Sequence, residues 1–455
     1  GERFELQFDH AVLALGTTDN FDAYPGLAEH SFKLKTFDDC FRLRNHILTM
    51  FELADIESDP EERRRLLTFF VAGGGYAGTE VAGELADFVR ILTSHEYSGV
   101  PREECRVVLV HPGKTILPEL GGEAVFEEGG RGHRRLVDYA TRHARKLGVE
   151  LMTETRVAAT SPDGVHLSNG EYVPTRTIVS AIGTKPPPLF DTLPIPRERG
   201  KVATDTYLRV DGYENLWAAG DCAAVRHPKG GWCPPVGIYA LKEGSTAGEN
   251  IVRAVDGEPL QPFRYPGLGQ GVSLGHRTAV GELKGIELRG LVAWLAWRAM
   301  LIYYIPTWDR RLRLFADWLI WPLVGRDVVE MSVVAAQDYE VRHNVFQAGD
   351  TVAHQARAAR YVHVVVEGDV DIVRVDPDGG EEIVREMHPG DHFDQKRLDR
   401  FAAERARART LVRTVSLRAD QADRLQEVLN SAGRLVAWSG AFPAIGAGDS
   451  PPPAA

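Results

Sequence analysis

Cysteine is scarce in this sequence: Cys40, Cys105, Cys222 and Cys233 are the only four in 455 residues. They form no CxxC pair and no zinc-ligand spacing, which excludes a disulfide scaffold and argues against thiol-exchange chemistry. Reduced thiols in a cytosolic compartment are expected. Long apolar runs are also missing. No stretch of about 18 uninterrupted apolar residues occurs, so no membrane-spanning helix is expected, and no secretory leader opens the chain. Positive charge is not in excess: 53 Lys plus Arg stand against 64 Asp plus Glu, a net charge of −11, which argues against nucleic acid as the main partner. What remains is ordinary globular material. At 44% hydrophobic and 26% charged residues the chain can bury a large core, in two to three domains.

The opening segment, Glu5 to Gly16, reads as a strand already in progress. Thr36 and Asp39 suit a capping box for a helix carrying Phe41, Ile47, Leu48, Phe51 and Leu53, a linker between two lobes that ends before Pro60. Leu66 to Ala72 is a continuous apolar run, as a strand buried on both faces requires, and it enters a glycine cluster. A helix and a second strand, Arg106 to His111, complete a strand–helix–strand unit. Leu136 to Leu147 reads as a helix and Glu150 to Val157 as a strand. Thr177 to Ile182 begins a return segment, which Gly183 and Pro186 to Pro188 break. Five of the eight tryptophans crowd into Trp294 to Trp321, and after Val333 short alternating strands and glycine turns predict a small all-β domain.

The segment Gly73-Gly74-Gly75-Tyr76-Ala77-Gly78 fits GxGxxG between a strand and a helix. In that pattern Gly73 makes the tight turn, Gly75 lets backbone N–H groups approach a pyrophosphate, and Gly78 permits close helix–strand packing. The acid that would hold an NADH ribose at the end of the second strand is missing. His111 stands there, with Lys114 close behind, so NADPH stays open beside NADH.

Leu13-Ala14-Leu15-Gly16-Thr17, the glycine loop, Ile116-Leu117-Pro118 and Leu216-Trp217-Ala218-Ala219-Gly220-Asp221-Cys222 together resemble the two-dinucleotide flavoprotein superfamily, and within it the type II NADH dehydrogenases. The resemblance implies an α/β, Rossmann-like fold with an FAD domain interrupted by an NADH domain. It also implies that the family's first FAD glycine motif belongs ahead of residue 1, so the N-terminal part of that fold is missing from the chain. It divides the chain into an FAD-domain remnant and linker helix (1–65), an NAD(P)H-binding domain (66–180), the FAD-domain return (181–247) and a C-terminal amphipathic region (248–332). Asp221 of the Gly220-Asp221 pair would bond a flavin ribityl hydroxyl, and Glu80 would lie near nicotinamide and flavin as the catalytic residue. Gly16, Gly183, Gly237 and Ile238 complete the implied cofactor contacts. Cofactors would be FAD with NADH or NADPH, and the acceptor a quinone. Ile238 and Lys242, however, stand where the family usually has glutamines.

Gly275 to Val280 and Trp294 to Arg313 are similar to the family's membrane-contact region. Six cations (Arg289, Arg298, Arg310, Arg311, Arg313, Arg326) against four anions (Glu287, Asp309, Asp317, Asp327) make it locally positive. That composition suits peripheral binding at the headgroup layer, weakened by salt, on the inner face of the plasma membrane; a buried homodimer contact is the competing reading. From 333 to 436 the chain resembles a cyclic-nucleotide-binding domain, an all-β β-roll, followed by a loose tail at 437–455. The family's Phe-Gly-Glu triplet is Phe393-Asp394-Gln395 here, which argues against tight cyclic-nucleotide binding; Arg409 or Arg413 would have to serve as the phosphate arginine. The expected activity is hydride transfer from NAD(P)H to flavin and on to quinone. The alternative is a non-catalytic regulatory or scaffold protein with a degenerate flavin site.

Overall fold

The computed structural model describes residues 6–21, 24–121, 132–324, 342–354, 361–375, 380–394 and 404–418. The expectations placed on Arg326, Asp327, Gln395 and the tail lie outside the described residues. The chain divides into two compact units. One comprises Gly1–Ala23, Phe32–Val157 and Pro174–Met331; the other comprises Tyr24–Ser31, Ala158–Val173 and Ser332–Ala455.

In the first unit, strand β1 (Ala11–Leu13) is followed by helix α1 (Phe37–Ile56), whose Thr36 and Asp39 form the capping box expected from the sequence. Leu43, Ile47, Leu48, Phe51 and Ala54 lie on its buried face and join the core of the nucleotide sheet. Pro60–Leu66 is a separate short helix with Asp59 as its cap and Pro60 in its first turn, where a missing N–H costs nothing. That shortens the next strand, β2, to Thr68–Ala72, every residue of which is buried.

The glycine cluster then leads into helix α2 (Tyr76–Ile91) and strand β3 (Arg106–Val110). Helix α3 (Arg134–Lys146) and strand β4 (Val149–Met152) repeat the unit. The strand expected from Glu150 to Val157 is broken by Glu154, which takes a left-handed φ of 57°. The chain leaves the sheet there and returns as β5 (Thr177–Ser180). The five-stranded sheet runs Ser31–Phe32, β5, β2, β3, β4, and from β5 onward its pairs are parallel, with Val179 beside Val71 and Val71 beside Leu109. Right-handed crossovers bury both faces of such a sheet, which is why β2 and β3 carry almost no polar side chain.

The remaining segments of this unit are smaller. Strand β6 (Leu216–Ala218) pairs in parallel with β1, Val12 opposite Trp217. Helix α4 (Gly237–Asp256) follows and ends on Gly257 at φ 72°, a left-handed cap. A three-stranded antiparallel sheet over residues 269–289 precedes α5 (Gly290–Tyr304) and α6 (Trp308–Val324). No described helix is long and apolar enough to cross a membrane.

The second unit holds two four-stranded antiparallel sheets, made by strands between Arg342 and Arg418. Phe346, Val365, Ile372, Phe393, Ala406 and Val412 fill the space between them, as a β-roll requires. Within this unit the ring of His30 meets the Val345 backbone, its Nε2 lying 2.8 Å from the amide nitrogen and 3.1 Å from the carbonyl oxygen. Burial pushes the His30 pKa down to about 4, so the ring is neutral near pH 7.

Candidate active site

The glycine loop is built by close approach of backbones. Gly73 has φ 104°, and a Cβ on it would lie 2.5 Å from the Ala181 carbonyl oxygen. A Cβ on Gly78 would lie 1.7 Å from the Gly73 carbonyl oxygen, so no larger residue fits without moving α2 off the turn. Gly75 is the residue before α2, and its successors present the first N–H groups of a 16-residue helix, which have no partner within the helix.

His111 stands just past the end of β3, with its Nδ1 accepting the Gly74 N–H at 3.2 Å. In the neutral ring the proton is then on Nε2, so the position offers a donor where an acid would offer an acceptor. Glu80 lies in the first turns of α2. Its Oε1 accepts the Ser273 N–H at 3.0 Å, which ties the helix to strand Gly269–Ser273. Burial raises its pKa, the Ser273 bond opposes this, and Glu84 four residues on adds to the rise.

The remaining residues expected at the site sit on other segments of the same unit. Gly16 follows β1, Gly183 follows β5, Gly220 and Asp221 open a single 3-10 turn after β6, and Gly237 and Ile238 start α4. No atom lies within 4 Å of where a Cβ would stand on Gly16, Gly183 or Gly237. Those three backbone positions, one of them at a helix N-terminus, therefore leave room for a ligand to approach.

Glu243 was not anticipated from the sequence. It is buried on α4, and its Oε2 accepts the Gly220 N–H at 2.7 Å, bracing the turn that carries Asp221. Burial pushes its pKa up to about 7; the Gly220 N–H, the Cys233 thiol and Lys201 oppose the rise, and Asp221 adds to it. A signal was present: Tyr239, Glu243, Ala247 and Asn250 are the buried residues of α4 and share one face at helical spacing, and an acid on an inward stripe calls for a partner.

Comparisons with known proteins give the chain a family. A family profile described as Pyridine nucleotide-disulphide oxidoreductase matches residues 1–246, and one described as Cyclic nucleotide-binding domain matches residues 343–430. The chain belongs to the pyridine nucleotide-disulphide oxidoreductase family. Within it, the resemblance to type II NADH dehydrogenases stands. Demethylphylloquinone reductase NdbB of Synechocystis sp. is 30% identical over 322 residues, covering 70% of this chain and 72% of the relative. Type II NADH:quinone oxidoreductase Ndh of Mycobacterium tuberculosis is 26% identical over 340 residues, covering 70% of this chain and 68% of that protein. An internal alternative NAD(P)H-ubiquinone oxidoreductase A1 of Solanum tuberosum is 28% identical over 345 residues, covering 72% and 67%. Among solved structures, NDH2 from Plasmodium falciparum in complex with NADH superposes with a TM-score of 0.62 at 17% identity, over 71% of this chain and 80% of that one, which establishes the shared fold.

In the β-roll, which matches the separate cyclic nucleotide-binding profile, the candidate phosphate arginines are engaged. Arg409 holds Asp371 at 2.8 Å through Nε and Glu386 at 2.7 Å; Arg413 holds Glu29 at 3.1 Å and Glu367 at 3.0 Å. Arg405 and Arg407 share Glu381. Arg405, Arg407 and Arg409 alternate with core residues Ala406 and Ala408 and line an outer cleft of about 390 Å³ together with Gly349, Thr351 and Asp371. Its arginines are matched by carboxylates.

The elevated pKa of Glu243 makes stability depend on pH with a definite sign. Folding favours the protonated form, so its contribution is complete below pH 4.5, the ordinary value, and is lost as pH rises through about 7. Glu243→Gln cannot ionise. Measured against wild type, its melting temperature should gain between pH 5 and pH 8, by an amount equivalent to at most about 3 kcal/mol; a difference that is flat with pH would refute the assignment.

Proposed function

We propose that the chain works as an FAD-dependent oxidoreductase that passes a hydride from NAD(P)H to flavin and electrons on to a quinone, without pumping protons. The observation that carries this reading is the pairing, in one unit, of a tightly packed GxGxxG turn before α2 with the braced Gly220-Asp221 turn before α4. Bound FAD would supply the hydride acceptor and the electron relay. The protein's part is positional. Residues 66–180 would hold the dinucleotide, with Gly73, Gly75 and Gly78 shaping the loop and Glu80 fixing α2 to the following sheet. Gly16, Gly183, Asp221, Gly237 and Ile238 would line the flavin. The activities printed for the cyanobacterial, mycobacterial and potato relatives, all of them quinone reductases, support the acceptor class.

The test is NAD(P)H oxidation by FAD-supplemented protein with a water-soluble quinone. A yellow protein whose flavin absorbance bleaches with NADH supports the reading; a colourless, inert one favours a scaffold role. Because His111 presents no repelling carboxylate, wild type should use NADPH as well as NADH, and His111→Glu should shift kcat/KM toward NADH. Strong NADH selectivity in wild type would show that another residue discriminates.

Helix α6 supports a peripheral membrane role. Trp308, Leu312, Phe315 and Leu319 form one stripe at helical spacing and are 56–74% exposed. Two of the arginines nearby are engaged within the protein: Arg298 lies over the rings of Trp294 and Trp318, and Arg311 donates to the Ile305 and Tyr303 carbonyls. Apolar insertion should therefore outweigh attraction to anionic headgroups, and salt should weaken binding less than the sequence alone suggests. Liposome flotation should show binding that survives roughly 0.5 M salt, well past the screening of surface charges, and that Phe315→Glu abolishes. Monomeric, non-binding protein would refute it; a dimer that Phe315→Glu splits would assign the stripe to a homodimer contact.

The β-roll is expected to bind cyclic nucleotides poorly, since a phosphate would have to displace carboxylates from Arg409 or Arg413. Calorimetric titration of the full chain with cyclic AMP and cyclic GMP should show no micromolar binding; such binding would reverse this conclusion.

A further inference from the structure

The N-terminus of α2 is a place where an anion is stabilised, because its leading N–H groups lack helical partners and their dipoles add. A carboxylate of this chain already lies against it. Glu119 belongs to the short segment Pro118–Gly121, which follows Leu117, a buried residue in a left-handed conformation at φ 57°. That segment is held to the glycine loop by the Gly74 carbonyl, which accepts the Leu117 N–H at 2.7 Å, while the Gly74 N–H is taken by His111 Nδ1 at 3.2 Å. The result is that Glu119 Oε1 lies 2.7 Å from where a Cβ on Gly75 would stand, beside the backbone of Tyr76, the first residue of α2. Its Oε2 is buried without a hydrogen-bond partner.

We infer that Glu119 is an internal anion at the dinucleotide site, competing with the pyrophosphate of NAD(P)H for the N-terminus of α2 and so setting the affinity of that site. This rests on the reading of the glycine loop as the dinucleotide cradle. Two negative groups cannot share one desolvated helix terminus at low cost, so a pyrophosphate binds by displacing the carboxylate or by neutralising it. Burial already raises the Glu119 pKa, which lowers the cost of neutralisation. Its neighbour Tyr76 feels the same charge, and the Tyr76 phenol donates to Gln270 at 2.7 Å, so the competitor is enclosed by the helix it faces and the strand beyond.

Glu119→Gln keeps an acceptor of the same shape and removes the charge, whereas Glu119→Ala removes both. In the full-length chain, calorimetry with inorganic pyrophosphate, ADP-ribose and NADH should show Glu119→Gln binding each roughly two- to thirtyfold more tightly than wild type, the range expected for one charge at a helix terminus. Adenosine, which carries no anion, should bind both equally. Amide exchange at Tyr76 should quicken in Glu119→Ala. Unchanged or weaker anion binding in both variants, or Tyr76 exchange indifferent to Glu119→Ala, overturns the inference. Tighter pyrophosphate binding by Glu119→Gln with no NADH binding by either protein would leave the internal anion standing and remove the dinucleotide reading instead.

Discussion

The contact between Gly78 and the Gly73 carbonyl oxygen is the constraint on which the nucleotide half depends. With a Cβ position only 1.7 Å from that oxygen, α2 and the turn after β2 approach as bare backbones. Closeness of this kind fixes the start and direction of α2, and therefore where its unpaired N–H groups lie. The neighbouring loops are then set in turn: Ala181 after β5 sits against Gly73, and His111 and Leu117 after β3 bond to Gly74. A parallel sheet buried on both faces supplies the rigid floor, since Phe69, Phe70, Val71 and Val108 leave no room for β2 or β3 to shift.

A second regularity is that enclosed carboxylates of this unit lie against the backbone at its loops. Glu80 takes the Ser273 N–H, Glu243 takes the Gly220 N–H, and Glu119 stands against the start of α2 at Gly75. In each case burial raises the pKa, and for Glu80 and Glu243 the bond from the backbone opposes it. Such a group holds a loop through a bond to the backbone while burial weakens its hold on charge. That is economical where a cofactor's own negative charge must be received next to the same backbone.

The β-roll treats charge differently. Its arginines lie on the outer face and are met by Asp371, Glu381, Glu386, Glu367 and Glu29, so they act as a ladder of ion pairs over a packed apolar core. Paired guanidinium groups of this kind contribute modestly to stability and are poor receptors for a phosphate until a carboxylate gives way.

Much of the framework was legible in the sequence, because it follows from short-range rules. The capping box of α1 needs only Thr36 and Asp39 three residues apart; the uninterrupted apolar run into Gly73 announces a doubly covered strand; GxGxxG between strand and helix, with the Gly220-Asp221 pair downstream, gives the site its order along the chain. The run of aromatics and arginines before Val324 likewise announced an unusual surface, although their cation–π pairing was not visible there. What only the tertiary structure decided were the contacts between residues far apart in sequence. Nothing local indicates that Glu243 will meet Gly220, that Glu119 will stand against the start of α2, that Glu80 will be tied to Ser273, or that Arg413 will be shared by Glu29 and Glu367. A carboxylate's role depends on which N–H or cation faces it once it has been taken from water, and that pairing is set by packing rather than by the identity of its neighbours along the chain.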